Sequence, residues 1–161
     1  MAGEFSEALP SFDEAIRLDP DNAMLLWCRG QVLALIGRND EAIAQFQAIQ
    51  KFHPDQFFSN LGALMQAAIA GDSASAALIA TDELKQIAGQ DPHYSWAMAQ
   101  CYSLLDDGSA ALQYLEIAMD RGFINYPMIR NLDPLLNNAR KTPGFPALLS
   151  RIETRWETFE I

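Results

Sequence analysis

Cysteine is scarce in this sequence, because its 161 residues contain only Cys28 and Cys101. Two cysteines without CxxC spacing form neither a disulfide framework nor a zinc site. Each lies among apolar residues inside a predicted helix, which is typical of a small buried side chain. A reducing, cytoplasmic compartment therefore fits this sequence best.

Long apolar runs are missing as well. No stretch approaches the roughly 18 to 20 uninterrupted apolar residues of a membrane span. The N-terminal residues MAGEFSEALP have neither the basic flank nor the apolar run of a secretion signal. Half of the residues are nevertheless hydrophobic, which is enough apolar material for a core. We therefore expect a folded chain with no membrane partner.

Positive charge is also in short supply, since 11 Lys and Arg stand against 21 Asp and Glu, a net charge of -10. Five basic and 17 acidic residues precede Arg121, whereas six basic and four acidic residues lie from Arg121 onward. A phosphate-binding surface needs clustered Lys and Arg. The composition therefore argues against a nucleic-acid partner.

Patterns typical of a catalytic or metal site are lacking too. His53 and His93 lie near predicted helix ends, with no second histidine at metal-ligand spacing. No glycine-rich phosphate loop and no nucleophile elbow accompanies them. The acidic pairs 82–83 and 106–107 fit turns or a solvated helix face better than paired catalytic carboxylates. We expect no enzymatic activity, no cofactor and no bound metal.

One well-formed helical hairpin is present, from Asn22 to Asp55. Apolar residues recur at helical spacing in both halves, the turn spans residues 37–40, and the second helix ends before Pro54. Gly30 and Ala42 lie where the two helices would cross, because small side chains let two backbones approach closely. Such a hairpin cannot bury its apolar face alone, and it predicts further copies beside it.

Copies occur at a period of roughly 34 residues. They predict a half repeat over residues 3–21, which begins with a second helix, and full repeats over about 22–55, 56–91 and 92–122. In the alanine-rich second full repeat we expect helices from about Phe57 to Ala70 and from about Ser75 to Ala88. In the third, Asp107 or Ser109 is the candidate N-cap of the second helix.

Beyond Phe123 the period fails. The dipeptides at 126–127 and 133–134 each predict a short helix or turn, and Thr142–Pro143 predicts the N-cap and first residue of a final helix. That helix carries one apolar stripe at spacings of three and four: Phe145, Leu148, Leu149, Ile152, Trp156 and Phe159. We expect residues 123–161 to form a capping segment whose amphipathic helix covers the apolar end of the stack.

Residues WCRGQVLALIGRNDEAIAQF resemble the tetratricopeptide repeat (TPR), a family with small residues at its eighth and twentieth positions and a proline near the end. Gly30, Ala42, Phe46 and Pro54 match, whereas Leu26 stands where the family usually has tryptophan. The tail is similar to the segment that closes TPR regions in multidomain bacterial signalling proteins. The resemblance implies an all-α fold of antiparallel hairpins stacked in a right-handed superhelix, with a C-terminal capping helix.

The resemblance also implies a protein–protein interaction scaffold, because TPR arrays bind partner segments in a concave groove lined by the first helix of each pair. The groove positions correspond to Met24, Trp27, Gln31, Ala34 and Leu35, to Phe58, Leu61 and Met65, and to His93, Trp96, Gln100, Ser103 and Leu104. Such an apolar groove fits a protein or peptide with apolar anchors. No groove position holds a basic residue, which argues against a Lys- and Arg-based clamp for a terminal carboxylate.

Several alternatives stay open at this point. Trp27 and Trp96 could instead pack between repeats or beneath the tail, and the C-terminal segment could itself fill the groove. The apolar edge of the half repeat predicts a homodimer as an alternative function. The missing first helix and the tail similarity predict a further one, a cis-regulatory C-terminal domain of a larger signalling protein.

Overall fold

A computed structural model describes residues 5–159 of the chain. Over this range every regular element is helical, which confirms the all-α prediction. The start of the predicted half repeat, with Gly3, and the last two residues of the capping segment lie outside the described residues. The chain divides into two compact units, residues 1–84 and 85–161, so the predicted boundary between residues 122 and 123 stays a prediction.

The first unit is a series of helices that pack against their neighbours in sequence. They are α1 (Leu9–Leu18), α2 (Ala23–Leu35), α3 (Asn39–Phe52), α4 (Phe57–Ala70), α5 (Ser73–Ile79) and α6 (Asp82–Ala88), inside which the unit boundary falls. Helix α2 contacts α1 and α3, and α4 contacts α2, α3 and α5. Pro10 stands in the first turn of α1 as expected, where its missing N–H is least costly.

Side-chain caps and glycine turns fix the ends of these helices. The Asn22 side chain accepts a hydrogen bond from the Leu25 N–H at 3.2 Å and begins α2. Between α2 and α3, Gly37 adopts a φ of +79°, a conformation that favours glycine. The hairpin predicted over residues 22–55 is therefore present.

Phe46 of α3 is fully buried and lies against a glycine of each of two other helices. A Cβ atom at Gly30 of α2 would lie 2.5 Å from Cε1 of the Phe46 ring, and one at Gly62 of α4 would lie 3.1 Å from its Cδ1. A larger side chain at Gly30 would require the Phe46 ring or the backbone to shift, which is destabilising in a packed core. The prediction that Gly30 marks a helix crossing is confirmed, and Gly62 has the same role in the next helix.

The prediction of a single helix from Ser75 to Ala88 is wrong, because the structure has two short helices there, α5 and α6. The Ala80 N–H still bonds the Ala76 carbonyl, and α5 then ends. Thr81 starts the next helix by accepting a hydrogen bond from the Leu84 N–H at 3.3 Å. A threonine that caps α6 from inside the predicted segment therefore interrupts the helix.

The second unit contains one long hairpin, an irregular stretch and a final helix. Its elements are α7 (Pro92–Leu104), α8 (Gly108–Asp120), a π-helical turn (Met128–Leu132), two 3₁₀ turns (Pro134–Leu136 and Ala139–Lys141) and α9 (Phe145–Glu157). The first 3₁₀ turn packs on α7, and the second packs on α8 and α9. Asp107 accepts a hydrogen bond from the Ala110 N–H at 3.0 Å, so Asp107 is the cap of α8.

The final helix is amphipathic as predicted, but it begins later. Thr142 was expected as its N-cap, yet the helix starts at Phe145, and Thr142 accepts a bond from the Phe145 N–H through its backbone carbonyl. Arg155 donates from Nη1 to the Met119 carbonyl at 2.8 Å, near the end of α8. Trp156, the next residue, is 45% exposed.

None of the helices described between residues 5 and 159 has both the length and the apolar character that a membrane crossing requires.

Candidate functional site

Helix α7 presents four side chains on one face: His93, Trp96, Gln100 and Ser103. Their spacings of three, four and three residues keep them in one line along the helix. Asp91 fixes the start of this line, because its carboxylate accepts hydrogen bonds from the backbone N–H groups of the first turn at 2.8 and 3.0 Å. These are four of the five positions that the TPR resemblance assigns to the groove of the third repeat, the fifth being Leu104.

The carboxylate of Asp133 sits against this face and is fully buried. Its Oδ2 atom accepts hydrogen bonds from Trp96 Nε1 at 2.9 Å and from Gln100 Nε2 at 2.8 Å. Its Oδ1 atom accepts a third from the Leu135 N–H at 2.8 Å. All three donors are neutral, so α7 binds a carboxylate without the basic residues of a Lys- and Arg-based clamp.

The chain from Asp133 to Ala139, here called the docking segment, continues along the same face. The Ala139 N–H donates to Ser103 Oγ at 3.1 Å. Leu136 and Ala139 are fully buried, and Leu135 is nearly so. One line of α7 side chains therefore holds both the side chain and the backbone of an irregular segment of this same chain.

Burial has the largest effect on the pKa of Asp133. It raises the pKa of this carboxyl to about 6, although the hydrogen bonds from Gln100, Leu135 and Trp96 and the charge of Arg140 oppose the shift. Arg140 itself donates to the carbonyls of Ile129 and Met128 at 3.1 and 3.3 Å. Its guanidinium thereby fastens the π-helical turn that precedes the docking segment.

The indole of Trp96 is packed between two further rings. Phe123 stacks on it with a centroid distance of 4.9 Å and an interplanar angle of 16°, and His93 meets it edge-on at 5.2 Å. Burial lowers the pKa of His93, which favours the neutral imidazole. This packing orients the indole N–H toward Asp133.

In the first unit the predicted groove residues are mostly buried. Trp27, Leu61 and Met65 are fully buried, and Gln31, Ala34 and Leu35 are nearly so. The structure brings Trp27 and Phe58 together, with ring centroids 6.3 Å apart. Met24 is the most accessible of all the predicted groove residues at 41% exposure, and Phe58 is half-buried. In the second unit, His93 and Leu104 are also half-buried.

Both cysteines pack as small side chains. Cys101 is buried and Cys28 is half-buried, and the two do not form a disulfide. Burial raises the pKa of the Cys28 thiol to about 11 and also raises that of Cys101. Protonated thiols are weak nucleophiles. Across residues 5–159 the structure groups no three His, Cys, Asp or Glu side chains around a potential metal position.

Sequence reasoning noticed Asp133 only as the start of a turn. It missed the contact of this carboxylate with Trp96 and Gln100, which are 37 and 33 residues away in the sequence. One signal was available: a single acid among Leu132, Leu135 and Leu136 predicts a buried polar group with hydrogen-bond partners.

Comparison with known proteins supports the repeat assignment. Residues 2–57 match the tetratricopeptide repeat family, a stretch that includes the predicted first full repeat. Searches of curated proteins and of solved structures gave no match. The multidomain signalling context suggested by the tail stays a prediction. The family match over residues 2–57 and the all-α structure support a TPR-type repeat protein.

Proposed function

We propose that this chain is a scaffold that binds segments of another protein on two separate faces, that of α2 and α4 in the first unit and that of α7 in the second. TPR repeats generally mediate protein–protein interaction. The observation that carries the proposal is the contact between α7 and the docking segment. A face that holds an irregular segment through its carboxylate and its backbone has the chemistry needed to hold a partner segment.

In the first unit the proposed binding face centres on Met24 of α2 and Phe58 of α4. Met24 is exposed and Phe58 is half-buried, and Phe58 lies against the buried ring of Trp27. Methionine and aromatic side chains are enriched in protein interfaces, where they supply apolar contact area. A partner with apolar anchors fits this face, with no cofactor.

A charge at position 24 is expected to weaken partner binding strongly without harming the fold. Met24→Glu would desolvate a carboxylate in the apolar contact, and we expect at least a tenfold loss of affinity. The matched control is Leu78→Glu on α5, since Leu78 is 82% exposed on a second helix of a repeat. Affinity capture from cells that express the chain, followed by titration of the captured protein, measures the effect. Equal capture by both variants would reject this face.

The alternatives drawn from the sequence remain predictions. TPR repeats are typically non-catalytic scaffolds, and our proposal assigns no reaction to this chain. Homodimerisation is testable by light scattering across a concentration series. A cis-regulatory role requires a further domain in the same polypeptide, which the reading frame upstream of Met1 would reveal.

A further inference from the structure

We propose that the docking segment is an internal ligand of α7, displaced by a partner segment that presents an aspartate followed by apolar residues in a tight turn. The partner's carboxylate would take the position of Asp133 between Trp96 and Gln100. This inference rests on the proposed function and specifies the partner class for the second unit.

The contacts define what a competing segment must contain. Two neutral donors, the Trp96 indole and the Gln100 amide, converge on one oxygen of Asp133. The second oxygen bonds the N–H of Leu135, two residues further along the chain. This local bond closes a turn in which Pro134 stands at the first position of the 3₁₀ turn. An aspartate with a turn directly after it reproduces all three bonds.

Apolar side chains behind the turn supply the rest of the contact. Leu135 and Leu136 are buried directly after the aspartate, and Ser103 accepts the backbone N–H of Ala139 beyond them. A segment that begins Asp-Pro-Leu-Leu and continues to the position of Ala139 therefore combines one charged contact, two apolar anchors and one backbone bond. Lys and Arg side chains offer no acceptor for the converging donors, and a neutral amide or hydroxyl oxygen is a weaker acceptor than a carboxylate.

The docking segment is held in a way that permits exchange. A buried carboxylate that only neutral donors contact carries a desolvation penalty, which is consistent with the raised pKa of Asp133. The guanidinium of Arg140 bonds backbone carbonyls of the π-helical turn. The segment itself consists of short turns rather than a long helix, so few backbone hydrogen bonds within it would be lost when it is displaced.

A labelled peptide of residues 130–141, RNLDPLLNNARK, is the probe for this inference. It is titrated by fluorescence anisotropy into the full wild-type chain and into the full-length Asp133→Ala variant. A tethered segment competes at an effective concentration of about millimolar. We therefore expect at least tenfold tighter binding to Asp133→Ala than to wild type. The same peptide with Asp133→Ala should bind the variant at least tenfold more weakly.

Asp120→Ala is the matched chain control, because Asp120 is exposed and pairs with Arg155 at 3.1 Å. It should bind the peptide as wild type does. If Asp133→Ala loses helical signal by circular dichroism, the isosteric Asp133→Asn replaces it. Failure of the peptide to bind the folded variant, or equal binding of both peptides, overturns the inference. A chain dimer that exchanges docking segments, seen as a doubled mass, also overturns it.

This result is separable from the test of the proposed function, because Met24 lies in the first unit and the peptide contacts belong to the second. Partner capture that depends on Met24, together with a failed peptide titration, would reject the internal ligand alone. Peptide binding without Met24-dependent capture would instead reject the proposed face in the first unit.

Discussion

Replacing Trp27 by alanine is expected to lower the free energy of unfolding by about 3 to 5 kcal/mol, the usual loss for a buried Trp or Phe. Trp27 is fully buried, and its ring lies 6.3 Å from that of Phe58. Its removal leaves a cavity between α2 and α4 that the surrounding helices fill only in part. Guanidinium denaturation followed by far-UV circular dichroism measures the change.

Trp156→Ala is the control for this experiment. Trp156 belongs to the same residue type but is 45% exposed near the end of α9, so its replacement should change stability by less than about 1 kcal/mol. If the Trp27 and Trp156 variants unfold at the same denaturant concentration, Trp27 does not stabilise the core. Its predicted place on a binding surface would then be favoured over a packing role.

Acidification is expected to stabilise the wild-type chain relative to an Asp133→Asn variant. The folded pKa of Asp133 is raised to about 6 from an ordinary value of 3.8. A raised pKa means that the folded state binds a proton more tightly than the unfolded state does. The resulting stabilisation is complete below about pH 3.8 and is lost as the pH rises through about 6.

Denaturation of both variants between pH 7.5 and pH 4 tests this sign. The unfolding free energy of wild type should rise by about 2 kcal/mol relative to Asp133→Asn over that range. His93, whose lowered pKa acts in the opposite direction, and Arg140 are present in both chains, so their contributions cancel in the difference. If the unfolding free energies of wild type and Asp133→Asn changed in parallel with pH, Asp133 would titrate normally and would not be held in a buried site.

Local signals in the sequence predicted the hairpins well. The bounds of α4 agree with the expected Phe57–Ala70, Asp107 caps α8, and Gly30 lies at a helix crossing. Caps, glycines and helical periodicity act within a few residues, so one sequence is sufficient to identify them. The break at Thr81 was missed because a threonine is compatible with both a helix interior and a cap.

The docking segment could not be derived in the same way. Its contacts with α7 join residues more than 30 positions apart and follow no repeat period. The TPR resemblance assigned His93, Trp96 and Gln100 to one face of α7, but a repeat position carries no information about what covers that face. The same limit applies to Trp27, which shares a face with Met24 although one is fully buried and the other exposed.

The central claim is that α7 binds the chain's own Asp133 through Trp96, and the indole N–H resonance of Trp96 reports on it directly. Two-dimensional ¹H–¹⁵N NMR of wild type should show this proton exchanging slowly with solvent and shifting as the pH passes through about 6, the pKa of Asp133. In Asp133→Asn the resonance should move and lose its pH dependence, while that of Trp156 stays unchanged. The account would be contradicted if the Trp96 indole proton exchanged as fast as that of Trp156 and its chemical shift did not change in Asp133→Asn.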